Sequence, residues 1–326
     1  MRGKGKQKQK TEGNKMADTN GIYQMITDKI IKGLEKGRIP WRKSWKGNDS
    51  DFTAPINFSS KKAYRGINVL ILWYSMVNNN FKSPYFLTFK QVNALGGQVI
   101  KGSKSELIVY WNIGKRNTNE FTPDGKRITK PFFILKHYRV FNIEQTKGIK
   151  YPKPEEIKPV ATFKQIEQAE NFINSFKDKP VIEHIGNSAC YSPAMDVIKM
   201  PNKENFVSNS EYYGTLFHEL THSTGHKKRL KRKELIEPAI FGDPIYSQEE
   251  LTAEIGTAFI CGITGISNAK LEENQQAYIN GWIEKLRNDP KCIIYASAKA
   301  QKAVDYMQGK KYQEVEQEEK KETVTV

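Results

Sequence analysis

Five consecutive residues constrain this chain more than anything else in it. His218-Glu219-Leu220-Thr221-His222 can act together only on a helix, where residues four apart stand on one face. There both imidazoles reach one ion, and Glu219, the residue after His218, reaches water beside it. The flanks agree with a helix. Ser208 with Glu211 three residues on has the pattern of a capping box, Tyr213, Leu216, Phe217 and Leu220 make an apolar stripe, and Gly225 is a natural stop. His218 and His222 are the candidate metal ligands and Glu219 the candidate general base of a hydrolase. Two surface histidines on an ordinary helix would give the same string, so further ligands matter.

A third histidine six residues past His222 is excluded, because that position is Lys228. His226 lies just beyond Gly225 and is a neighbour of the site rather than a ligand. A second helix, Ser247-Gln-Glu249-Glu250-Leu-Thr-Ala-Glu254-Ile-Gly, offers carboxylates four apart. Glu250 is expected to coordinate the metal and Glu254 to accept an N–H from a ligand histidine and fix its tautomer. Ser247 with Glu250 could also be only a capping box. Three protein ligands leave a position for water, which is the pattern of a catalytic site. Zn2+ is the expected ion, and the same donors would take other divalent metals such as Mn2+. In the chemistry implied, Glu219 moves a proton from water to the leaving amine, and Tyr246 or His226 donates to the developing oxyanion.

Charge separates the chain into unlike halves. Residues 1–150 carry 29 Lys and Arg against 10 Asp and Glu, and residues 151–326 carry 23 against 26, within totals of 52 and 36. A surplus confined to one half fits a nucleic-acid partner, because each cation set on a phosphate releases a condensed counterion; a solvated basic surface is the plainer alternative. Trp41, Arg42, Lys43, Trp45 and Lys46 combine cations with flat faces, as do Lys61, Lys62, Tyr64 and Arg65. Trp45 and Tyr64 are the candidate stacking residues, and Lys61, Lys62, Arg65, Lys101 and Lys104 the candidate phosphate contacts. Charge alone would serve duplex DNA or RNA equally.

The three cysteines, Cys190, Cys261 and Cys292, form no CxxC pair and no disulfide framework. With no signal-peptide core and no apolar run of about 18 residues, the chain is expected to be cytoplasmic and without a membrane partner. Residues 1–20 and 309–326 are expected to be disordered tails, basic and acidic respectively. Between them lie an α+β domain over 21–150, a Pro-rich linker over 151–161 and a second domain over 162–308. The first domain should open with a helix carrying Ile22, Met25, Ile26 and Ile30 and continue into strands near 106–111 and 131–142.

The second half contains Ala189-Cys-Tyr-Ser-Pro193, Asp196-Val-Ile-Lys-Met-Pro201, Tyr212-Tyr213, HELTH, Ser223-Thr-Gly-His226 and Phe241-Gly-Asp243 before Glu249-Glu250-Leu. Together these resemble the peptidase domain of ArdC-type antirestriction proteins. Ile39-Pro-Trp41, Tyr64-Arg-Gly-Ile-Asn68, Leu87-Thr-Phe-Lys90, Gly96-Gly97, Lys101-Gly102 and Tyr138-Arg-Val-Phe-Asn142 resemble that family's single-stranded-DNA-binding domain. The resemblance covers about residues 20–308. It implies a protein of mobile or conjugative elements that binds entering single-stranded DNA and protects it from restriction. It also implies a gluzincin-like metallopeptidase domain in which Glu250 and Glu254 are ligand and outer carboxylate, acting on an unidentified protein. The strand over Asp196–Met200 would lie at the cleft edge in such a fold, or be an ordinary core strand. Two other readings stay open: a DNA-dependent protease of DNA-bound or crosslinked proteins, and a DNA-binding protein whose metal site is vestigial and structural. Oligomeric state is not legible.

Overall fold

The computed structural model describes residues 19–42, 54–121, 125, 127–152, 162–236, 244–267 and 275–310. Most of both expected tails, most of the expected linker and the segment Phe241–Asp243 lie outside these residues.

The first half is α+β. Helix α1 (Thr19–Glu35) buries Ile22, Ile26, Ile30 and Leu34 along one stripe, whereas Met25 is 51% exposed and off it. Strand β1 (Ile56–Asn57) leads to α2 (Ile67–Asn79), a helix buried almost all round and closed by Asn80 in the left-handed conformation, φ 56°. Then follow β2 (Tyr85–Thr88), α3 (Phe89–Ala94), β3 (Gln98–Val99), β4 (Glu106–Phe121), β5 (Arg127–Asn142) and β6 (Thr146–Lys147). Strands β4 and β5 form a hairpin running well beyond the two short strands expected from sequence, paired from Glu106↔Val140 to Phe121↔Arg127. With β2 and β1 they make a sheet in the order β1-β2-β5-β4.

The second half begins with α4 (Thr162–Ser175) and a small sheet of β7 (Val181–His184), β8 (Cys190–Ser192) and β9 (Val197–Met200). Its order is β7-β9-β8, parallel between β7 and β9 and antiparallel between β8 and β9. Of the two places open to the strand after Asp196, this order gives the interior one. The strand after Asp196 is paired on both sides and has no ladder left to offer; the strand beside the metal helix at the sheet margin is β8. Helices α5 (Asn209–Ser223), α6 (Lys233–Ile236), α7 (Pro244–Thr264), α8 (Gln275–Asn288) and α9 (Cys292–Met307) complete the chain. Helix α7 starts at Pro244, a residue pre-set for a first helical turn, so Tyr246 and Ser247 lie inside the helix rather than before it.

The two halves share one core. A continuous cluster of buried apolar side chains joins Ile26 on α1 and Leu70 on α2 to Phe217 on α5, Ile255 on α7 and Met307 on α9. Trp41 is fully buried, sits edge-on to Trp282 at 6.0 Å between centroids and donates its Nε1–H to the Tyr278 hydroxyl at 3.2 Å. Trp73 of α2 packs on Phe259 of α7 at 6.1 Å. No helix among the described residues is long and apolar enough to cross a membrane.

Candidate metal centre

The site is held by α5 and α7. Ser208 caps α5 by accepting the Glu211 N–H at 3.1 Å, while the Glu211 carboxylate reaches the Val207 N–H at 2.8 Å instead of completing a box with Ser208. Apolar Tyr213, Leu216, Phe217 and Leu220 bury one face. His218 and His222 then emerge one turn apart with their Nε2 atoms 3.0 Å from each other. Close approach of α7 depends on Gly256: a Cβ there would stand 2.5 Å from Thr221 Cγ2, on the α5 turn between the two histidines. That contact brings Glu250 in, with Oε2 3.4 Å from His218 Nε2 and Oε1 3.4 Å from His222 Nε2.

His218, His222 and Glu250 place one donor atom each within 4.8 Å of one another. Two tetrahedral donors at about 2.0–2.1 Å from one ion are about 3.3 Å apart, close to the separation of the two imidazole nitrogens, so the donor set fits a divalent cation. Burial disfavours the charged form of His222, but hydrogen bonds to Glu249 and Glu250 and their charges outweigh it and push its pKa up to about 10. Burial alone would raise the Glu250 carboxyl; hydrogen bonds from His218 and His222 hold it far below the usual carboxylate range.

The carboxylate behind the candidate ligands is Glu249, not Glu254. Glu249 Oε1 lies 3.1 Å from His222 Nδ1, and the same carboxylate is gripped by Arg232 Nη2 at 2.6 Å and Nε at 2.8 Å. Burial would raise its pKa, and the Arg232 charge and hydrogen bonds, with His222, bring it below the ordinary value. Arg232 also donates to the Thr221 and His222 carbonyls at 2.8 and 3.2 Å, closing the C-terminal end of α5. Helical rotation explains the exchange of roles. Glu254 is turned about 40° from Glu250 in one direction and Glu249 about 100° in the other, toward the face that carries Gly256 and meets α5. Glu254 instead binds Arg42 from the first half, at 2.6 Å to Nη2 and 3.2 Å to Nε.

Glu219 is 8% exposed and accepts the Tyr191 backbone N–H of β8 at 2.7 Å through Oε2. Tyr191 is itself anchored: its hydroxyl donates to Asp196 at 2.8 Å, and Asp196 is held by Arg229 at 2.7 Å. His226 is buried beside that Asp196, 3.7 Å from its carboxylate, and stands outside the three-donor group. Tyr246 lies in the first turns of α7, and its side chain is outside the described residues.

The expected strand-binding residues stand in unlike surroundings. Lys61, Lys62, Lys101 and Lys104 are exposed, with Lys61 3.5 Å above the Phe58 ring. Tyr64 is less open than a stacking platform requires: its ring packs edge-on to Phe86 and its hydroxyl accepts from Asn57 at 3.2 Å. Arg65 pairs with Asp305 of α9 and so ties the halves together, while 52% of its side chain stays exposed. Trp45 lies outside the described residues. Arg232, Arg229 and Tyr191 also belong to the site, and their sequence carries no signal of it, because no local spacing marks a residue that acts through another element.

Two known families match the chain, one in each half. Residues 20–141 match the family described as the N-terminal domain of anti-restriction factor ArdC, and residues 167–299 match the zincin-like metallopeptidase family. An uncharacterized protein, y4eC, of Sinorhizobium fredii is 33% identical over 288 residues, which is 88% of this chain and 91% of that protein. Two DNA primase TraC proteins of Escherichia coli are 30% and 31% identical over 88% of this chain, which spans only 20% and 27% of their length. Crystal structures of the antirestriction ArdC protein from the R388 plasmid share the fold. The metal-free form is 34% identical with a TM-score of 0.68, and the Mn(II)-bound form 32% with 0.67; each match covers 89% of this chain and 97% of that one.

Proposed function

The chain belongs to the ArdC-type antirestriction proteins, and we propose that it binds single-stranded DNA of a mobile or conjugative element through its basic half and cleaves a protein through the metal centre of its second half. His218, His222 and Glu250 would hold the ion, Zn2+ or, as in the Mn(II)-bound relative, Mn2+. When bound, a divalent cation there supplies Lewis acidity toward a scissile carbonyl and toward the attacking water. Glu219 would take the proton of that water on Oε1, its Oε2 being engaged by the Tyr191 N–H, and return it to the leaving nitrogen. Glu249, clamped by Arg232, would keep Nδ1 of His222 protonated so that Nε2 is the donor to the metal.

The observation that carries this reading is the convergence of three donors within 4.8 Å beside a carboxylate held in place by its own hydrogen bond. A structural ion has no use for Glu219, which argues against a vestigial site. The contact of Arg42 with Glu254, one turn past the ligand Glu250, favours a second form of the reading in which bound DNA and proteolysis are coupled, as in a protease of DNA-bound proteins. The test is cleavage of DNA-bound and free proteins by zinc-loaded chain, with and without single-stranded DNA, against Glu219→Gln. Cleavage lost in the variant supports the peptidase, and dependence on DNA supports the coupled form. Metal bound and strand bound with no cleavage under any condition would sink it.

A further inference from the structure

From His218 a cleft of about 280 Å³ runs back along α5 toward its N-terminus, with Glu219 at one end and Glu211 at the other. Across it stand Arg42 and Glu254. Gly214 forms part of its floor, one turn before His218. Glycine in a helix interior is unfavourable relative to alanine and is normally retained for a close approach or an unusual backbone angle. Neither reason applies here. Gly214 has ordinary helical backbone, and among the described residues no atom beyond its own helix backbone and chain neighbours lies within 4 Å of where its Cβ would sit, in contrast to Gly256. What its missing side chain preserves is room in the cleft.

The charges of the walls favour one class of occupant. Glu250 and Glu219 face the ion's charge at the near end. Farther along, among the described residues that line the cleft, Glu211 and Glu254 face one cation, Arg42, which is committed to Glu254 and lies 4.1 Å over the Tyr278 ring. Glu211, exposed, keeps a carboxylate facing this space while bonding Val207. Seven residues separate Glu211 from His218, about 10 Å of helix axis. An extended lysine or arginine side chain reaches about 7 Å from its Cα, so a basic residue whose backbone lies at the metal would bring its head group toward Glu211. A phosphate would meet excess carboxylate, so nucleic acid is disfavoured here although the first half is basic.

We infer that this cleft is a substrate subsite for a lysine or arginine side chain of a protein, next to the peptide bond that the metal centre acts on. The inference rests on the peptidase reading above, and it fits substrates that carry cationic surfaces, as DNA-bound proteins do.

The test uses the full chain loaded with Zn2+ and four dipeptide hydroxamates, in which the hydroxamate takes the metal and the neighbouring side chain is Arg, citrulline, Leu or Glu. Binding is read by calorimetry. The Arg compound is expected to bind about tenfold or more tighter than its neutral isostere citrulline, and Glu weakest. Glu211→Gln, which can keep the bond to Val207, should bring Arg and citrulline together. Gly214→Leu should fill the cleft and remove Arg binding while zinc affinity, read by competition with a chelator, and thermal stability hold. Equal binding of Arg and citrulline, with all four compounds bound, overturns the subsite and leaves the metal centre intact. Competitive displacement of the Arg compound by a single-stranded oligonucleotide also overturns it. If zinc is bound but no hydroxamate binds, the peptidase reading fails and the subsite falls with it.

Discussion

At the scale of single residues, the metal centre is an arrangement of charges that the ion completes. Without an ion, His222 is pushed up to about pKa 10 by Glu249 and Glu250, so at pH 7 it is an imidazolium. A folded-state pKa above the unfolded value of about 6.5 means that this contribution to stability is fully present below about pH 6.5 and lost as pH rises through about 10. The metal-free chain should therefore lose thermal stability between these limits, and a His222→Gln variant should lose less over the same range. A metal must displace that proton, so binding at pH 7 should release about one proton, and affinity should rise about tenfold per pH unit below 10. Calorimetry in buffers of different ionisation enthalpy measures this; no proton release would mean that His222 is neutral beforehand. Arg232 and Glu249 supply a second prediction. Glu249→Gln leaves a buried guanidinium without its partner and should cost about 3–5 kcal/mol, with metal affinity down about 10–100-fold. Adding Arg232→Met should recover most of the stability and none of the affinity, as chemical denaturation and metal titration on the same samples would show.

At the scale of elements, the site depends on how closely α7 lies on α5, and one glycine sets that distance. Gly256→Ala would drive a methyl into Thr221 Cγ2, now 2.5 Å from the Cβ position, and should cost about 1–3 kcal/mol while weakening metal binding through displacement of Glu250. Thr221→Ala in the same chain should restore both; failure of that rescue would mean that the helices do not meet there. Gly214→Ala should go the other way and stabilise α5 by up to about 1 kcal/mol. These elements were legible in sequence to different degrees. The metal helix was readable because its cap, its stripe and its ligands all obey one local period. Helix α1 was readable for the same reason, apart from Met25. The second helix is legible together with Glu250, and the outer carboxylate is Glu249 where spacing points to Glu254. Spacing shows that Glu250 and Glu254 share a face and cannot show which flank of that face meets α5. The strand after Asp196 carried the same ambiguity, since an apolar run does not say whether neighbours lie on one side or two. Arg65 and Tyr64 read as strand-binding residues because their chemistry suits it, and their contacts with Asp305 and with Phe86 and Asn57 come from tertiary packing that no local pattern reveals.

At the scale of the whole molecule, opposite charge balances in sequence suggested two units, and the core joins them. Apolar side chains from α1 and α2 pack in one cluster with those of α5, α7 and α9, and Trp41 is sealed between Trp282 and Tyr278. Polar bonds cross the same boundary: Arg42 to Glu254, Arg65 to Asp305 and the Thr27 hydroxyl to the Pro290 carbonyl. Units that share a core cannot expose their facing surfaces independently, since either half alone would present that apolar area to water at about 25 cal/mol per Å². The chain should therefore unfold in one cooperative transition. A ligand that binds only the folded state stabilises by RT ln(1 + [L]/Kd) and distributes that gain over everything that unfolds with its site. Zinc bound in the second half should then slow amide exchange in the buried Leu70–Leu72 turn of α2 as much as in α5, even though α2 supplies no ligand. Exchange slowed in α5 and α7 alone would show that the halves open separately. The contact between Arg42 and Glu254 would then not couple the halves, and binding of a strand by the basic half could not reach the metal centre through the fold.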